Sequence, residues 1–373
     1  MNFYFSNEEE AFRRKVQSFL EPYEGLDGFF GQGLKWPAVR DLFRAMGERG
    51  WLALTWPETA GGLGGGPALE YILWDEVAYA RAARNPLSAG IVARTLIRHG
   101  SEAQCDRWLP EIRSGQLHFS LAYSEPEAGS DLAGLRLRAE REGDHYIVDG
   151  QKCWQSYAQD MDCFWLLART GSFESRGRGL SLFICEKERP GVSVTPLPTL
   201  DGDQLNEVRF ERVRIPADQR VGEENGAWPI MGEALADERH IQFPPGRVRR
   251  DLEEVTAWLG GVGRGDDPVA QRTLADLAIR VAEVEMHGLR VLDAMQKGRS
   301  AGAAAAANKI AHTLACQAIA DAALQLGGPE ALLESSRPNL LWRHALWETI
   351  GGGTTEIMRS IVAREALGLS ARS

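Results

Sequence analysis

The sequence predicts an α+β protein in which helices are followed by strands and then by helices again. Apolar residues recur at helical spacing up to about residue 117, and again from about residue 227. Between these segments, short runs alternate apolar and polar residues and are rich in β-branched and aromatic side chains. We therefore expect an N-terminal helical domain (1–116), a middle antiparallel β domain (117–225) and a C-terminal domain like a four-helix bundle (226–373).

The N-terminal helices begin at serines. Ser6 followed by Glu9 forms a capping-box pattern, and Ser101 stands before a second helical run, "EAQCDRWLPEI". Another helical face is formed by Val39, Leu42, Phe43 and Met46. The intervening "WPETAGGLGGG" follows no strand and contains no G-x-G-x-x-G, so it predicts a loop and not a nucleotide fingerprint.

The middle segment predicts paired strands in runs such as "LHFSLAYS", "CFWLLART" and "NEVRFERVRI". Gly143-Asp144 and Asp149-Gly150 are turn signals, which favours an antiparallel sheet or small barrel. The last segment predicts long helices, and the alanine-rich run "AGAAAAANKIAHTLACQAIADAALQLGG" indicates close packing. Near its end, "IGGGTTE" precedes a helix whose first N–H groups suit a phosphate or an oxyanion.

Composition excludes several classes of function. A chain of 373 residues with 44% hydrophobic and 25% charged residues is typical of globular proteins, and its net charge of −10 disfavours nucleic acid as a partner. We expect neither a membrane span nor a secretory signal. The cysteines are scattered without C-x-x-C, which indicates free thiols and a cytoplasmic location: Cys105, Cys153, Cys163, Cys185 and Cys316. Metal-binding histidine spacings and G-x-S-x-G are both absent.

Two polar segments stand out as candidate sites. "LAYSEPEAGSDLAG" is, from its residues alone, either a capped turn or a binding loop. In "GQKCWQSYA", a Trp followed by a small hydroxyl residue on a strand either covers a flat ring or is simply half-buried. Together they resemble the flavin-binding motifs of the acyl-CoA dehydrogenase superfamily. The resemblance extends through "FSNEEEAFRRKVQSFL", "GWLALTWPETAGG" and "GGGTTEIMRSIVARE".

The resemblance implies FAD as cofactor and α,β-dehydrogenation of an acyl thioester, carried on CoA or on a carrier protein. It implies that the first motif binds FAD, that Trp154 lies along the flavin, that Ser156 bonds near N5, and that the start of the last helix also contacts FAD. The implied FAD-binding residues are Leu121, Tyr123, Ser124, Gly129, Ser130, Trp154, Ser156, Thr354 and Glu356. The implied substrate contacts are Ser130, Arg239 and Gly352.

The resemblance also suggests where the catalytic base lies. Many members carry it one residue before the Gly-Thr pair, a position that is Gly352 here. Isovaleryl-type members carry it before an arginine on an earlier helix, as Glu238 stands before Arg239. We therefore expect Glu238 to remove the α-proton. The alternative is that Glu238 is an ordinary charged residue on a helix surface, paired with a neighbouring charge. The "FPPG" at 243–246 predicts a break soon afterwards.

Some features depart from the common pattern and resemble a bacterial subgroup that includes heteromers. "LGGVGRGDDPVAQR" replaces the usual Arg-x-Gln-Phe-Gly loop, and Gln325 is displaced relative to the following glycine pair, so FAD contacts between subunits must differ. Basic residues near Arg239 form either a phosphate-binding patch or a solvated helix face: His240, Arg247, Arg249 and Arg250.

Three functions remain open on the sequence alone: a dehydrogenase using Glu238, a non-catalytic or FAD-site-completing subunit, and a flavin oxidase or monooxygenase. The third function is suggested by Gln155 and Tyr157, which flank Ser156 where the family usually has an apolar residue and an asparagine and would alter the surroundings of the flavin edge. The expected partners are an acyl thioester and an electron-transfer flavoprotein or similar acceptor. The expected assembly is a homodimer, homotetramer or heterotetramer. The acyl group is left open.

Overall fold

The computed structural model describes residues 4–28, 30 and 35–369, and the side chains of 235–240 lie outside the description. The chain divides into two compact units. The first comprises Met1–Phe30, Gly66–Arg84 and Arg239–Ser373, and the second comprises Gly31–Gly65 and Asn85–Glu238. The N-terminal helical segment is therefore shared between the units, and the expected domain bounds at 116 and 225 stay a prediction.

The helices and strands follow the predicted order. The helices are α1 (Asn7–Leu20), α2 (Trp36–Glu48), α3 (Pro67–Tyr79), α4 (Ala93–His99), α5 (Glu102–Arg113), α6 (Ala227–Gln242), α7 (Pro245–Gly261), α8 (Pro268–Gln296), α9 (Gly302–Leu326), α10 (Arg337–Glu348) and α11 (Thr355–Leu367). The strands are β1 (Phe119–Ala122), β2 (Arg138–Glu142), β3 (His145–Lys152), β4 (Cys163–Arg169), β5 (Leu180–Glu186), β6 (Val192–Pro198), β7 (Gln204–Pro216) and β8 (Arg220–Val221).

The first unit is a helical bundle around α9, which packs against α7, α8, α10 and α11. Small residues on α9 such as Ala315, Ala320 and Ala323 are buried and let the neighbouring helices approach closely. The capping box of Ser6 and Glu9 starts α1 as predicted. The prolines of "FPPG" also act as predicted: α6 ends at Gln242, and α7 begins at Pro245.

The second unit contains a sheet with the strand order β6-β7-β3-β2-β4-β5-β8, and β1 pairs with β4 beside that path. Most neighbours are antiparallel, which confirms the fold class, but β1 runs parallel to β4. Gly143-Asp144 lies between β2 and β3 as predicted. The second turn prediction is wrong: Asp149 and Gly150 lie inside β3, where the register with β7 shifts at a bulge.

Candidate functional site

The first polar motif begins at the end of β1 and is held in place by a buried ion pair. The side chain of Lys152 is fully buried, and its Nζ donates to the Tyr123 carbonyl at 2.9 Å and to Glu125 Oε1 at 2.9 Å. Glu125 also accepts from the backbone N–H groups of Arg136 at 2.6 Å and Leu137 at 2.9 Å. Burial lowers the pKa of Lys152 to about 8, against the opposing effect of Glu125. The loop that leaves β1 is therefore fixed at both ends.

The second motif is hydrogen-bonded to the first. The Cys153 N–H donates to the Ser124 carbonyl at 2.9 Å. Trp154 follows at once with 48% of its surface exposed and with φ at +65°. The expectation of a strand here was wrong, because β3 ends at Lys152 and Trp154 stands in the turn after it. A left-handed backbone at a bulky residue is uncommon and is held here by the surrounding bonds.

Ser156 and Gln155 occupy different surroundings. Ser156 is half-buried, and its carbonyl accepts from Ser120 Oγ at 2.8 Å. Gln155 is 2% exposed, and its Nε2 donates to the Cys153 carbonyl at 2.9 Å, while Asn206 Nδ2 donates to the Gln155 carbonyl at 3.0 Å. Gln155 therefore secures the turn from inside, and it does not line an open edge.

The remaining predicted FAD contacts of the first motif differ in exposure: Tyr123 is buried and Ser124 is half-buried. Leu121 is half-buried on β1, and Gly129 and Ser130 form an exposed bend. A Cβ placed on Gly129 would meet no atom within 4 Å, so that bend faces open space. A half-exposed indole on a fixed turn beside small and hydroxyl residues fits a flat ring and its polar substituents, and so these residues fit FAD.

The glycine turn lies in the first unit between α10 and α11. Gly352 and Gly353 have φ of +69° and +96°, and a Cβ on Gly353 would come within 2.6 Å of Met358 Cε. Thr354 is the N-cap of α11, and its Oγ1 accepts from the Ile357 N–H at 3.2 Å. Glu356 is exposed in the first turn of that helix. The turn thus needs glycine for its conformation.

Lys309 of α9 supports this turn, and sequence reasoning did not single it out. Its side chain is 1% exposed, and its Nζ donates to the carbonyls of Gly351 and Gly353. The available signal was a lysine within an alanine-rich run of a predicted buried helix. A buried ammonium is retained only where acceptors compensate its lost hydration, so such a lysine predicts a specific partner.

Glu348, one of the two acids beside the turn, is sealed in an ion-pair cluster. Its Oε1 accepts from Arg84 Nη2 at 2.9 Å and from Arg247 Nη1 at 3.0 Å, and its side chain is 3% exposed. Burial alone would raise the pKa of Glu348, yet Arg84 and Arg247 hold it well below the usual range. A carboxylate stabilised in this way is a poor general base.

The expectation of a phosphate-binding patch or a solvated helix face is wrong for Arg247, while the side chains of Arg249 and Arg250 are 31% and 36% exposed. Arg247 is 1% exposed and pairs with Asp251 as well as Glu348. Arg249 pairs with Asp75 and Glu285, and Arg250 pairs with Glu254. Arg247 and Arg249 take partners from distant parts of the chain, Glu348 and Asp75, whereas Arg247 and Arg250 also pair with acids four residues later on the same helix.

Glu238, Arg239 and His240 lie on α6, but their side chains are outside the described residues. The assignment of Glu238 as base and the contact proposed for Arg239 therefore stay predictions.

Comparison with known proteins identifies the family. The chain matches the acyl-CoA dehydrogenase N-terminal domain over residues 6–116, the middle domain over 120–213 and the C-terminal domain over 225–367. It is 34% identical to the acyl-CoA dehydrogenase FadE26 of Mycobacterium tuberculosis over 99% of both chains. The chain belongs to the acyl-CoA dehydrogenase family. This acyl-CoA dehydrogenase family member is a flavoprotein oxidoreductase that acts on CH–CH bonds, and its cofactor is FAD.

Solved structures agree with this assignment. The ChsE4–ChsE5 complex of Mycobacterium tuberculosis contains a chain that is 32% identical, with a TM-score of 0.89 and 100% of both chains covered. A structure described as the Tcur3481–Tcur3483 steroid ACAD is 28% identical, with a TM-score of 0.92 and the same coverage. Within the described residues, no helix combines the length and apolar character needed to span a bilayer.

Proposed function

We propose that the protein dehydrogenates an acyl thioester between its α and β carbons, with Glu238 as the base. The supporting observation is that the C-terminal turn offers no free acid. The base position used by many family members is Gly352 here, and the nearby Glu348 is buried and paired with two arginines. Helix α6 continues one turn beyond Glu238 to Gln242, whose Oε1 lies 3.2 Å from where a Cβ on Gly352 would stand. A side chain at position 352 would therefore crowd Gln242, which favours glycine there.

Each proposed role follows from the chemistry of the step. When bound, FAD supplies the acceptor for the hydride that leaves the β-carbon. Glu238 takes the α-proton, for which a carboxylate within hydrogen-bond reach is suited. The Gly352 N–H donates to the thioester carbonyl oxygen, where negative charge develops as the proton leaves. Arg239 contacts the thioester or the cofactor.

Anaerobic bleaching of the flavin tests the proposal. Purified FAD-loaded protein is mixed with a panel of acyl-CoA and acyl-carrier-protein thioesters, and the fastest substrate is then used with Glu238→Gln. We expect the reduction rate to fall by about 10²–10⁴-fold, the usual contribution of a positioned base. The matched control is Glu233→Gln, an exposed acid on the same helix that pairs with His99. Equal rates in Glu238→Gln and wild type would reject Glu238 as base.

A second candidate function is that of one subunit in a two-chain enzyme. The usual Arg-x-Gln-Phe-Gly loop is missing, and the two structures named above are each described by a pair of chains. If the protein is one subunit of a two-chain enzyme, we expect it to be colourless when purified alone and to gain FAD only when co-expressed with a second family member. A yellow homo-oligomer that reduces with a thioester by itself would exclude it.

The oxidase alternative has less support, because Gln155 faces inward and holds the turn. We infer that an electron-transfer flavoprotein or a similar protein accepts the electrons from the reduced flavin. We also infer a cytoplasmic location. Slow peroxide formation in air, together with fast electron transfer to a flavoprotein acceptor, is the expected result. Rapid peroxide formation during turnover would instead favour an oxidase.

A further inference from the structure

Lys309 brings a positive charge from α9 to the glycine turn, and its position is specific. The ammonium group donates to the carbonyls of Gly351 and Gly353, and it lies 5.3 Å from the centre of the Phe243 ring. The adjacent Asn308 donates through Nδ2 to the Phe243 carbonyl at 3.1 Å. Consecutive residues of α9 therefore hold the glycine turn and the residue that follows α6.

The bonds from Lys309 determine which way two backbone N–H groups point. The peptide bonds of the described chain are trans, so the C=O and N–H of one peptide unit point in opposite directions. Because the Gly351 carbonyl faces Lys309, the Gly352 N–H faces away from it. The same holds for the Gly353 carbonyl and the Thr354 N–H. Neither N–H has a backbone acceptor within the residues that the structure describes.

Three consecutive glycines do not hold such an arrangement unaided. Glycine populates positive and negative φ with similar ease, so this turn has many accessible conformations when it is not restrained. A charged donor on two carbonyls selects one of them. It also polarises the two peptide units, which strengthens their N–H groups as hydrogen-bond donors.

We propose that Lys309 is a positioning residue that aims and polarises the Gly352 N–H toward the thioester carbonyl oxygen. The inference rests on the proposed function, because it assigns a support to the carbonyl site of that reaction. Lys309 itself does not touch the substrate. The competing explanation is that Lys309 only joins α9 to the turn and contributes stability without affecting the reaction.

The kinetic test uses FAD-loaded enzyme and the acyl-CoA that reduces wild type fastest. Lys309→Met removes the donor and keeps the chain length, and Lys309→Arg restores a charged donor. We expect the limiting rate of flavin reduction to fall by about 10–100-fold in Lys309→Met, somewhat less than for loss of an oxyanion donor itself. The thioester concentration at half-maximal rate should change little, and Lys309→Arg should recover part of the rate.

The matched control is Lys297→Met at the exposed end of α8, where Lys297 pairs with Asp293, and it should behave as wild type. If Lys309→Met does not fold, Lys309→Gln supplies neutral donors of similar length and should show a smaller loss of the limiting rate. A folded Lys309→Met enzyme with the wild-type limiting rate would overturn the proposal.

Hydrogen exchange separates this inference from the proposed function. In the substrate-free holoprotein, Lys309→Met should speed amide exchange across 351–354 by about tenfold, because a restraint on local opening is lost. Exchange elsewhere should stay unchanged. If no thioester reduces the wild-type flavin, the proposed function is wrong. The exchange measurement still tests whether Lys309 restrains the glycine turn. Unchanged exchange at the turn would show that Lys309 does not fix it.

Discussion

At the scale of single residues, charge pairing decides which acid is free to react. Glu348 stands four residues before Gly352 and looks available in the sequence, but its arginine partners are Arg84 and Arg247. Those partners are 264 and 101 residues away along the chain, so no local pattern reveals them. These ion pairs make Glu348 a poor substitute for the base that is missing at Gly352.

Removing the charge of Glu348 should destabilise the protein. Glu348→Gln leaves the buried guanidinium of Arg247 and the partly buried one of Arg84 short of a carboxylate, for which we expect a loss of about 3–5 kcal/mol in the free energy of unfolding. Urea unfolding at pH 7 measures the loss, with Glu233→Gln as the exposed control. A loss no larger than that of the control would mean that the pairs contribute nothing net.

The same variant should also alter the pH dependence of stability. The pKa of Glu348 is lower in the folded protein than in the unfolded chain, where it is near 4.5. Its stabilising contribution is therefore complete above that value and is lost as pH falls toward the folded pKa. Glu348→Gln should show a shallower decline in stability below pH 4.5 than wild type.

At the scale of elements, periodicity predicted the helices and most strands, but it could not predict the pairing of β1 with β4. Residues in β1 contact β4 through a parallel register in which Phe119 lies opposite Cys163. Such a pairing depends on contacts far apart in the chain. The bulge in β3 was missed for the same reason: Asp149 Oδ1 accepts from the Arg212 N–H of β7 at 3.0 Å, and Asp-Gly by itself indicates a turn.

The bulge in β3 requires glycine at position 150, so we expect a substitution there to destabilise the protein. The φ of Gly150 is +136°, and an added Cβ would stand 3.1 Å from Leu137 Cα. We expect Gly150→Ala to cost about 2–4 kcal/mol, because backbone strain and close contact add. The matched control is Gly143→Ala, which has φ of +65° with no atom within 4 Å and should cost only about 1–2 kcal/mol. Equal costs in urea unfolding would show that the contact with Leu137 is easily relieved.

At the scale of the whole molecule, the helix–strand–helix order was readable because the hydrophobic period changes twice. The sequence did not predict which segments form the first unit, because that unit combines three stretches that are separated along the chain. Ion pairs join those stretches: Arg337 pairs with Asp27, and Arg81 pairs with Asp251. The resemblance supplied most candidate site residues, whereas Lys309 emerged only from the packing of α9 against the turn.

Phe30 lies where these stretches meet, and the last prediction concerns its loss. It is 5% exposed, and the guanidinium carbons of Arg81, Arg247 and Arg337 lie 4.8, 5.0 and 4.9 Å from its ring centre. Phe30→Ala should cost about 3–5 kcal/mol, because a cavity forms and three cation–π contacts are lost. Hydrogen exchange should accelerate together in α1, α3 and α7, since all three belong to the first unit.

Phe173 offers a matched control for that change. Arg136 and Arg169 lie 5.2 and 5.4 Å from its ring centre, but it is 42% exposed and belongs to the second unit. Phe173→Ala should therefore cost about 1 kcal/mol or less and leave exchange in α1 unchanged. If Phe30→Ala accelerates exchange only in α1, the three stretches do not unfold as one unit. The ion pairs would then join segments that open independently, and the first unit would not be a cooperative folding unit.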